Sequence, residues 1–269
     1  MFDSIACFPL RSASPDELGT ALARTYAEFN AWHGQATFIA NFAQDARTAG
    51  VKSVVTDRLH EAIFFGEQQG ILKYTTAKTK TNFEIAYELA EHQLTTAEVG
   101  VKIAAVVMLH NACERYLWRL IRFGVVANRS KVVAQMSDRK VTVKMVAELD
   151  TEALIDEQIE KWWEQSERDS LPQKWDSLIA LVGFPNELVS HPNWYFDKKM
   201  FSDFDEVRHD AVHHGGHSVK AFDLAAFATQ LSRAQLIWFV QIARTMNLKV
   251  SPESFFGLDR PGINASQQS

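Results

Sequence analysis

Apolar residues recur at three- and four-residue steps along most of the chain, which is the period of an amphipathic α-helix. The clearest stretch spans residues 96–123, and Gly124 is predicted to end that helix. A second long helix is predicted over residues 221–246. The apolar face of the first is made by Ala105, Leu109, Ala112, Cys113, Tyr116, Leu117, Leu120 and Phe123. These patterns predict an all-α protein.

Capping residues divide the rest of the chain into further helices. The sequences Ser-Pro-Asp-Glu at 14–17 and Thr-Thr-Ala-Glu at 95–98 are both typical of a helix start. The basic, threonine-rich stretch 73–80 is predicted to be an exposed loop. Other helices are predicted over 14–50 (one or two, with a break near 32–34), 57–69 ended by Gly70, 82–92, 151–168 and 171–183. A capping box at 203–206 is predicted to begin a helix over 207 to 213 or 214, which Gly215 and Gly216 should end.

Composition supports a globular protein with a substantial core. The chain has 269 residues, of which 46% are hydrophobic, and only 12 Gly and 7 Pro. This composition excludes a fully disordered chain and disfavours turn-rich β folds. The formal net charge is −5, so the protein as a whole has no electrostatic footprint for nucleic acid. Any contact with RNA must therefore be local.

Cysteine usage and the N-terminal residues suggest where the protein works. Cys7 and Cys113 are far apart and form no motif, so we expect two reduced thiols rather than a disulfide framework. Residues 1–4 carry an acid where a signal peptide needs basic residues, and the apolar run 103–109 is too short to span a bilayer. We therefore expect a cytoplasmic protein with no membrane partner.

Charge is segregated into two adjacent blocks. Residues 115–144 contain eight basic residues and one acid, whereas residues 151–168 are rich in acids. One interpretation is that the two blocks form solvated faces that pair with each other. The other is a local phosphate-binding strip, in which Arg115, Arg119 and Arg122 contact RNA.

The densest cluster of chemically useful side chains spans residues 208–217, which contain four of the nine histidines. Histidines at a helix end are common because the negative end of the helix dipole favours imidazolium. A metal site is an alternative, since His209, His213 and His217 are four residues apart and Asp210 could add a carboxylate. However, Gly215 and Gly216 should break the helix before His217. We therefore expect neither a metal nor another cofactor.

Arg208, four intervening residues and His213, with the polar His209 directly after the arginine, resemble the Arg-x(4–6)-His signature of the HEPN superfamily of all-α ribonucleases. The helix around residues 107–117, with Glu114 among aliphatic residues, is similar to a helix of that family. The resemblance implies a HEPN-like helical bundle over residues 95–250 with an insert at about 125–200. Residues 1–94 would then form an N-terminal helical region packed on this core, and residues 251–269 a C-terminal tail.

The resemblance implies an endoribonuclease that needs no metal. RNA would be cut by its own 2′-hydroxyl, leaving a 2′,3′-cyclic phosphate and a 5′-hydroxyl. His213 would transfer protons, Arg208 would hold the phosphate and His209 would orient it, with His214 as the alternative catalytic histidine. Glu114 either orients Arg208 or pairs with His110 four residues away.

Helix geometry and the family both favour a homodimer. Five residues along a helix turn through about 500°, so Arg208 and His213 point roughly 140° apart. Two copies of the motif facing each other would form a compact composite site, as in HEPN proteins. Free-standing members commonly act as toxins or in antiviral defence, which implies an antitoxin or another regulatory partner. The tyrosine that one toxin branch carries two residues after the histidine is here Gly215 or Gly216, so control by modification of that tyrosine is not supported.

Two other functions remain open at this point. The chain could be a HEPN-fold module that binds RNA or a protein without cutting. Less favoured is a metal-dependent hydrolase that uses the histidines. Chelation and removal of Arg208 or His213 distinguish the three functions.

Overall fold

The computed structural model describes residues 13–48, 50–70, 72, 80–136, 150–183 and 198–250. Every regular element in these ranges is helical, so the predicted all-α class is confirmed there. The α-helices are α1 (Pro15–Thr48), α2 (Val51–Gln68), α3 (Asn82–Ala127), α4 (Arg129–Gln135), α5 (Thr151–Gln165), α6 (Leu171–Val182), α7 (Lys198–His213), α8 (His217–Ala221) and α9 (Leu224–Thr245). A 3₁₀ turn, Ser166–Arg168, follows α5. The predicted loop at 73–80 lies almost wholly outside the described residues, and the predicted tail at 251–269 lies entirely outside them.

The chain divides into two compact units, each built from segments distant in sequence. The first comprises the described parts of Met1–Gly34, Met108–Glu206 and Ala225–Ser269. The second comprises those of Gln35–Val107 and Val207–Leu224. The predicted boundary at 94/95 falls inside α3, so it does not coincide with the end of a helix.

The long helix α3 differs from the sequence prediction at two boundaries. It starts after Thr81, whose hydroxyl accepts a hydrogen bond from the Glu84 N–H at 3.2 Å while the Glu84 carboxylate accepts the Thr81 N–H at 2.7 Å. The predicted cap at 95–98 is wrong, because it lies inside α3. Thr96 is accommodated there by donating its hydroxyl to the His92 carbonyl at 2.8 Å. The helices predicted over 82–92 and 96–123 are therefore one helix.

Gly124 does not end α3 and has a packing role instead. A Cβ at this position would lie 2.9 Å from Leu181 Cβ and 3.2 Å from a methyl of Val182. The absence of a side chain thus lets α6 approach the backbone of α3 closely. The helix continues to Ala127. The side-chain amide of the next residue, Asn128, donates to the Leu181 carbonyl at 2.7 Å.

Other predicted boundaries differ in the same way. Helix α1 begins at the Ser14 cap as predicted but runs through residues 32–34 without a break. Helix α2 begins at Val51, six residues before its predicted start, and α7 begins at Lys198, so the predicted capping box at 203–206 lies inside a helix. By contrast, α6 begins at Leu171 and ends before Gly183, as predicted. A capping box formed by Ser170 and Gln173, which was not singled out from the sequence, stabilises its first turn.

Aromatic side chains form much of the core of the first unit. The ring of Tyr116 on α3 lies 5.0 Å from Phe29 on α1 and 6.4 Å from Trp238 on α9. The Trp118 and Trp163 rings stack at 4.2 Å, and each indole N–H donates to the backbone carbonyl of the other tryptophan at 3.0 and 3.1 Å. Trp175 on α6 is also buried, and its ring lies 5.1 Å from Trp238. Trp163 and Trp175, which lie in the predicted insert at 125–200, are therefore core residues.

Candidate functional site

The histidine cluster lies at the C-terminal end of α7, in the second unit. Gly215 and Gly216 follow with φ of 78° and 73°, a backbone conformation that glycine adopts without strain. The N–H groups of His214 and Gly216 donate to the Asp210 carbonyl at 2.9 and 3.2 Å, which closes the last turn. The prediction that the two glycines end the helix is confirmed.

Asp210 holds the turn that follows the cluster. Its carboxylate accepts the Ser218 hydroxyl and the Ser218 N–H, both at 2.7 Å, and so joins the end of α7 to the start of α8. These hydrogen bonds from Ser218, with a smaller contribution from the nearby His214 and His217, lower the pKa of Asp210. The carboxylate is therefore ionised and engaged in holding the turn. Ser218 was not singled out from the sequence; it is the second residue of α8, two residues after Gly216.

Three imidazoles are gathered on the exposed surface of this helix end. The ring of His209 lies 4.7 Å from His213 and 5.5 Å from His214, and the His213 and His214 rings are 6.4 Å apart. All three residues are exposed. Because His209 and His213 are one helical turn apart, they share a face. The structure thus brings together the three histidines that the sequence analysis selected.

Arg208 lies beside this cluster on α7. It is half-buried, and its Nε atom is buried with no hydrogen-bond partner among the described residues. Consecutive helix residues point about 100° apart, so Arg208 and His209 occupy adjacent faces. The guanidinium group carries five donors and a permanent charge, which suits it to bind a phosphate.

Glu114 lies in the first unit, where its described partners are Lys174 and His110. Lys174 Nζ is 3.2 Å from one carboxylate oxygen, and His110 Nδ1 is 3.8 Å from the other. The opposite ring nitrogen of His110 is 2.6 Å from Asp205. The contact between Glu114 and His110 is one of the two alternatives drawn from the sequence. A role of Glu114 in orienting Arg208 stays a prediction.

The predicted RNA-binding arginines differ strongly in exposure. Arg119 and Arg122 are buried, and each is held by a carboxylate: Arg119 by Glu28, and Arg122 by both oxygens of Glu160 at 2.6 and 2.8 Å. Arg122 also stacks on the Trp163 ring at 4.3 Å. Guanidinium groups engaged in this way are not presented to a phosphate, so we assign no RNA contact to Arg119 or Arg122. Arg115 is exposed.

The basic and acidic blocks pair at several described positions. In addition to the contact of Arg122 with Glu160, the Arg129 guanidinium contacts Glu152 at 2.9 Å and Asp156 at 2.6 Å. These contacts join α3 and α4 to α5. They favour the interpretation in which the two charged faces pair with each other.

Within the described ranges, no side chains are arranged for metal binding or for thiol chemistry. No group of three or more His, Cys, Asp or Glu residues in them is placed to hold a metal ion. Cys113 is fully buried, and this burial raises the pKa of its thiol well above the usual range, which makes it a poor nucleophile.

None of the helices within the described ranges combines the length and the apolar character needed to cross a bilayer. No family model, curated protein or solved structure matches the chain.

Proposed function

We propose that this protein is a metal-independent endoribonuclease that cleaves RNA by attack of the 2′-hydroxyl on the adjacent phosphate. The observation that carries the proposal is the exposed cluster of His209, His213 and His214 beside Arg208, on a helix end held by the contact between Asp210 and Ser218. Imidazole is the side chain whose ordinary pKa lies nearest neutrality, so it can both accept and donate protons under cellular conditions.

The reaction requires two proton transfers, which the cluster can supply. One neutral imidazole, assigned to His213, accepts the proton of the 2′-hydroxyl as the 2′-oxygen bonds to phosphorus. The bond from phosphorus to the 5′-oxygen breaks, and a second, protonated imidazole gives that oxygen its proton. The products are a 2′,3′-cyclic phosphate and a 5′-hydroxyl, with no net gain or loss of protons and no redox change. His214 is the alternative for the first role.

Arg208 is assigned to the phosphate. Negative charge builds on the non-bridging oxygens as the 2′-oxygen attacks, and a guanidinium group stabilises it by charge-assisted hydrogen bonds. Its buried Nε has no hydrogen-bond partner within the part of the chain that the structure describes, and an anionic ligand would satisfy this donor. His209, directly after Arg208 in the sequence, is assigned to orient the same phosphate.

The proposal includes a homodimer with a composite site. Arg208 and His213 diverge along α7, so one copy of the helix does not direct both groups at the same phosphorus atom. A second copy that presents its own motif would complete the site. The proposed biological role is that of a toxin or of an antiviral defence nuclease, held in check by an antitoxin or a similar regulatory partner.

The first experiment incubates the purified full chain with mixed RNA, with and without a chelator, and identifies the new ends. We expect cleavage that persists in chelator and leaves cyclic phosphate ends. Replacing both His213 and His214 by Ala should lower the rate by about 10²- to 10⁴-fold. His92→Ala is the matched control, because His92 is an exposed helical histidine outside the cluster, and it should cut RNA at the normal rate.

The other outcomes select the alternative functions. Cleavage abolished by chelator would indicate the metal-dependent hydrolase. RNA binding that survives Arg208→Ala and His213→Ala, with no cleavage by the unmodified protein, would indicate a non-catalytic module. Full activity of the double histidine variant would refute the proposed mechanism.

Sedimentation tests the composite site. We expect a dimer at micromolar concentration. Mixing an Arg208→Ala chain with a His213→Ala chain should restore part of the activity if the two copies share a site. A monomer that cuts RNA at the normal rate would refute the homodimer.

A further inference from the structure

Helix α2, in the second unit, carries apolar side chains on two opposite faces. Thr56 and Ile63 lie on its buried face. About half a turn around the helix, Val51, Val54 and Phe65 are 37%, 52% and 61% exposed. A helix at the surface of a globular protein normally presents polar side chains to solvent. The outer face of α2 is therefore apolar at positions where a surface helix without a partner would be polar.

The outer face forms a narrow stripe along the helix. Its exposed residues are spaced by three, four, three and four positions, and they are Val51, Val54, Arg58, Glu61 and Phe65. At about 100° per residue, these five positions fall within a sector of roughly 80°. We call them the α2 stripe. Alternating steps of three and four are the spacing with which two helices pack along a common seam.

The order of the side chains makes the α2 stripe complementary to an antiparallel copy of itself. If a two-fold axis passes midway between positions 58 and 61, each residue faces the one that lies equally far beyond the axis. Arg58 then faces Glu61 of the second copy, and Val54 faces Phe65 of the second copy. Two-fold symmetry forms each of these contacts twice. The pairing therefore gives two opposite-charge contacts at the centre and an apolar contact on either side.

Charge favours a second copy of this chain over a nucleic acid or an anionic membrane as the partner of α2. Residues 35–107, which form most of the second unit, contain seven Lys or Arg and eight Asp or Glu residues. The α2 stripe itself carries one charge of each sign. Phosphate backbones and anionic lipid headgroups attract surfaces with an excess of positive charge, and this unit has none.

The exposed apolar area around α2 is of the order that a dimer interface requires. Ten of the thirteen large apolar side chains that are exposed among the described residues lie between residues 38 and 89, and five of the ten are phenylalanines that are 49–69% exposed. Phe64 and Phe65 are on α2, and the Phe83 ring lies 5.7 Å from that of His60 on α2. Since burying an aromatic side chain removes about 150–250 Å² from water, the five rings expose on the order of 500 Å². A standard interface buries about 800 Å² on each partner.

From this pattern, charge and area we infer that two copies of the chain associate through α2, with the two helices antiparallel and Arg58 of each copy paired with Glu61 of the other. The inference rests on the homodimer of the proposed function and names the surface through which its copies meet. It does not depend on RNA cleavage. No residue of the α2 stripe belongs to the histidine cluster, so association and cleavage are measured separately.

The experiment measures the dissociation constant of the dimer by sedimentation velocity, with the full chain and without RNA. We expect the unmodified chain to be a dimer at micromolar concentration. Arg58→Glu places two carboxylates opposite each other at both central contacts, and Glu61→Arg does the same with two guanidinium groups. Each variant should weaken the dimer by on the order of 100-fold, because like charges that face each other across an interface repel strongly.

The two charge variants should rescue each other. When an Arg58→Glu chain is mixed with a Glu61→Arg chain, both central contacts of the mixed dimer join opposite charges. We therefore expect the separate solutions to be monomeric and the mixture to be dimeric. The chain that carries both substitutions should dimerise like the unmodified protein for the same reason. A folding defect in one variant would not be repaired by mixing, so the rescue reports on the interface alone.

Phe65→Ser tests the apolar part of the interface. It should weaken the dimer by on the order of 100-fold, because a buried aromatic side chain often contributes a large share of the binding energy at an interface. Circular dichroism checks that the variant is folded, which the exposure of the ring leads us to expect. Arg233→Glu is the matched control, since Arg233 is an exposed arginine of the first unit. It changes the net charge as Arg58→Glu does and should dimerise normally.

The contrary results separate this inference from the proposed function. Dimers of Arg58→Glu and of Glu61→Arg that are as tight as the unmodified dimer would overturn the α2 interface and leave the homodimer to another surface. An unmodified chain that stays monomeric up to millimolar concentration would overturn both. If such a monomer sediments with phospholipid vesicles, the α2 stripe binds a membrane instead. A tight dimer that fails to cut RNA would contradict the nuclease proposal alone.

Discussion

Lys174 is a buried charge whose removal should destabilise the first unit. Its side chain is only 1% exposed, and its ammonium group donates to the Glu167 carbonyl at 2.7 Å, to the Asp169 carbonyl and to Glu114 at 3.2 Å. The two carbonyls belong to the 3₁₀ turn and the residue directly after it. One ammonium group therefore satisfies the end of that turn and ties it to α3.

Lys174→Met keeps a long, unbranched apolar side chain at this position but removes the ammonium group with its three N–H donors. Breaking a buried ion pair by deleting one partner costs about 3–5 kcal/mol. The Glu114 side chain is 34% exposed and regains part of its hydration, so we use the lower end, about 3 kcal/mol. In a chain of this size each kcal/mol lowers Tm by about 2–4 °C, which gives a fall of roughly 6–12 °C.

Urea unfolding followed by tryptophan fluorescence measures this loss as a lower midpoint at unchanged slope. The matched control is Lys161→Met, which removes a lysine whose side chain is 45% exposed and pairs with Glu157 on the same helix, and it should cost less than about 0.5 kcal/mol. Glu114→Gln should cost about 1 kcal/mol because an acceptor for Lys174 remains. If Lys174→Met lowers the free energy of unfolding no more than Lys161→Met does, the buried hydrogen bonds of Lys174 do not contribute the expected stability. A fall in RNA cleavage for Glu114→Gln beyond its loss of stability would favour its role at Arg208.

The remaining predictions concern pH, the turn after α7 and the buried thiol. Burial lowers the pKa of His33 below its ordinary value of 6.5, although its contact with the Ala228 carbonyl acts in the opposite direction. As the pH falls, the unfolded chain therefore takes up this proton before the folded protein does, and stability should fall below about pH 6.5. His33→Asn should flatten that part of a plot of Tm against pH. Gly216→Ala should destabilise the protein more than Gly215→Ala does. Both glycines have positive φ, but only a Cβ at 216 would overlap the Ile103 side chain. Equal losses of stability in urea unfolding would contradict this contact. The Cys113 thiol should react with a disulfide reagent only at the rate of unfolding, and rapid labelling of the native protein would show that it is accessible.

Capping and periodicity predicted helices well where the signal is local. Ser14 begins a helix as expected, and Ser170 does the same at α6, since a capping side chain satisfies backbone N–H groups within its own turn. The same patterns at 95–98 and 203–206 lie inside α3 and α7. A threonine or aspartate followed by a glutamate is compatible with a helix interior too, and only the conformation of the preceding residues decides between the two.

The residues of the candidate site divide in a similar way. His209, His213 and His214 are close in the chain, so helix geometry alone predicted that their side chains would lie together at a helix end. The positions of Arg119 and Arg122 were not predictable in this way, because Glu28 and Glu160, which hold them, are far away in sequence. Sequence distinguishes a charged residue from an apolar one but does not tell a solvated arginine from one that pairs across helices.

The sequence by itself determined the all-α class, the end of α7 at two glycines and the gathering of three histidines there, because each depends on contacts within a few residues. Only the tertiary structure decided that Gly124 is a packing position and that Lys174 is buried. These properties arise where helices distant in sequence approach each other. Their physical cause is the burial of one helix face against another, which a one-dimensional pattern permits but does not specify.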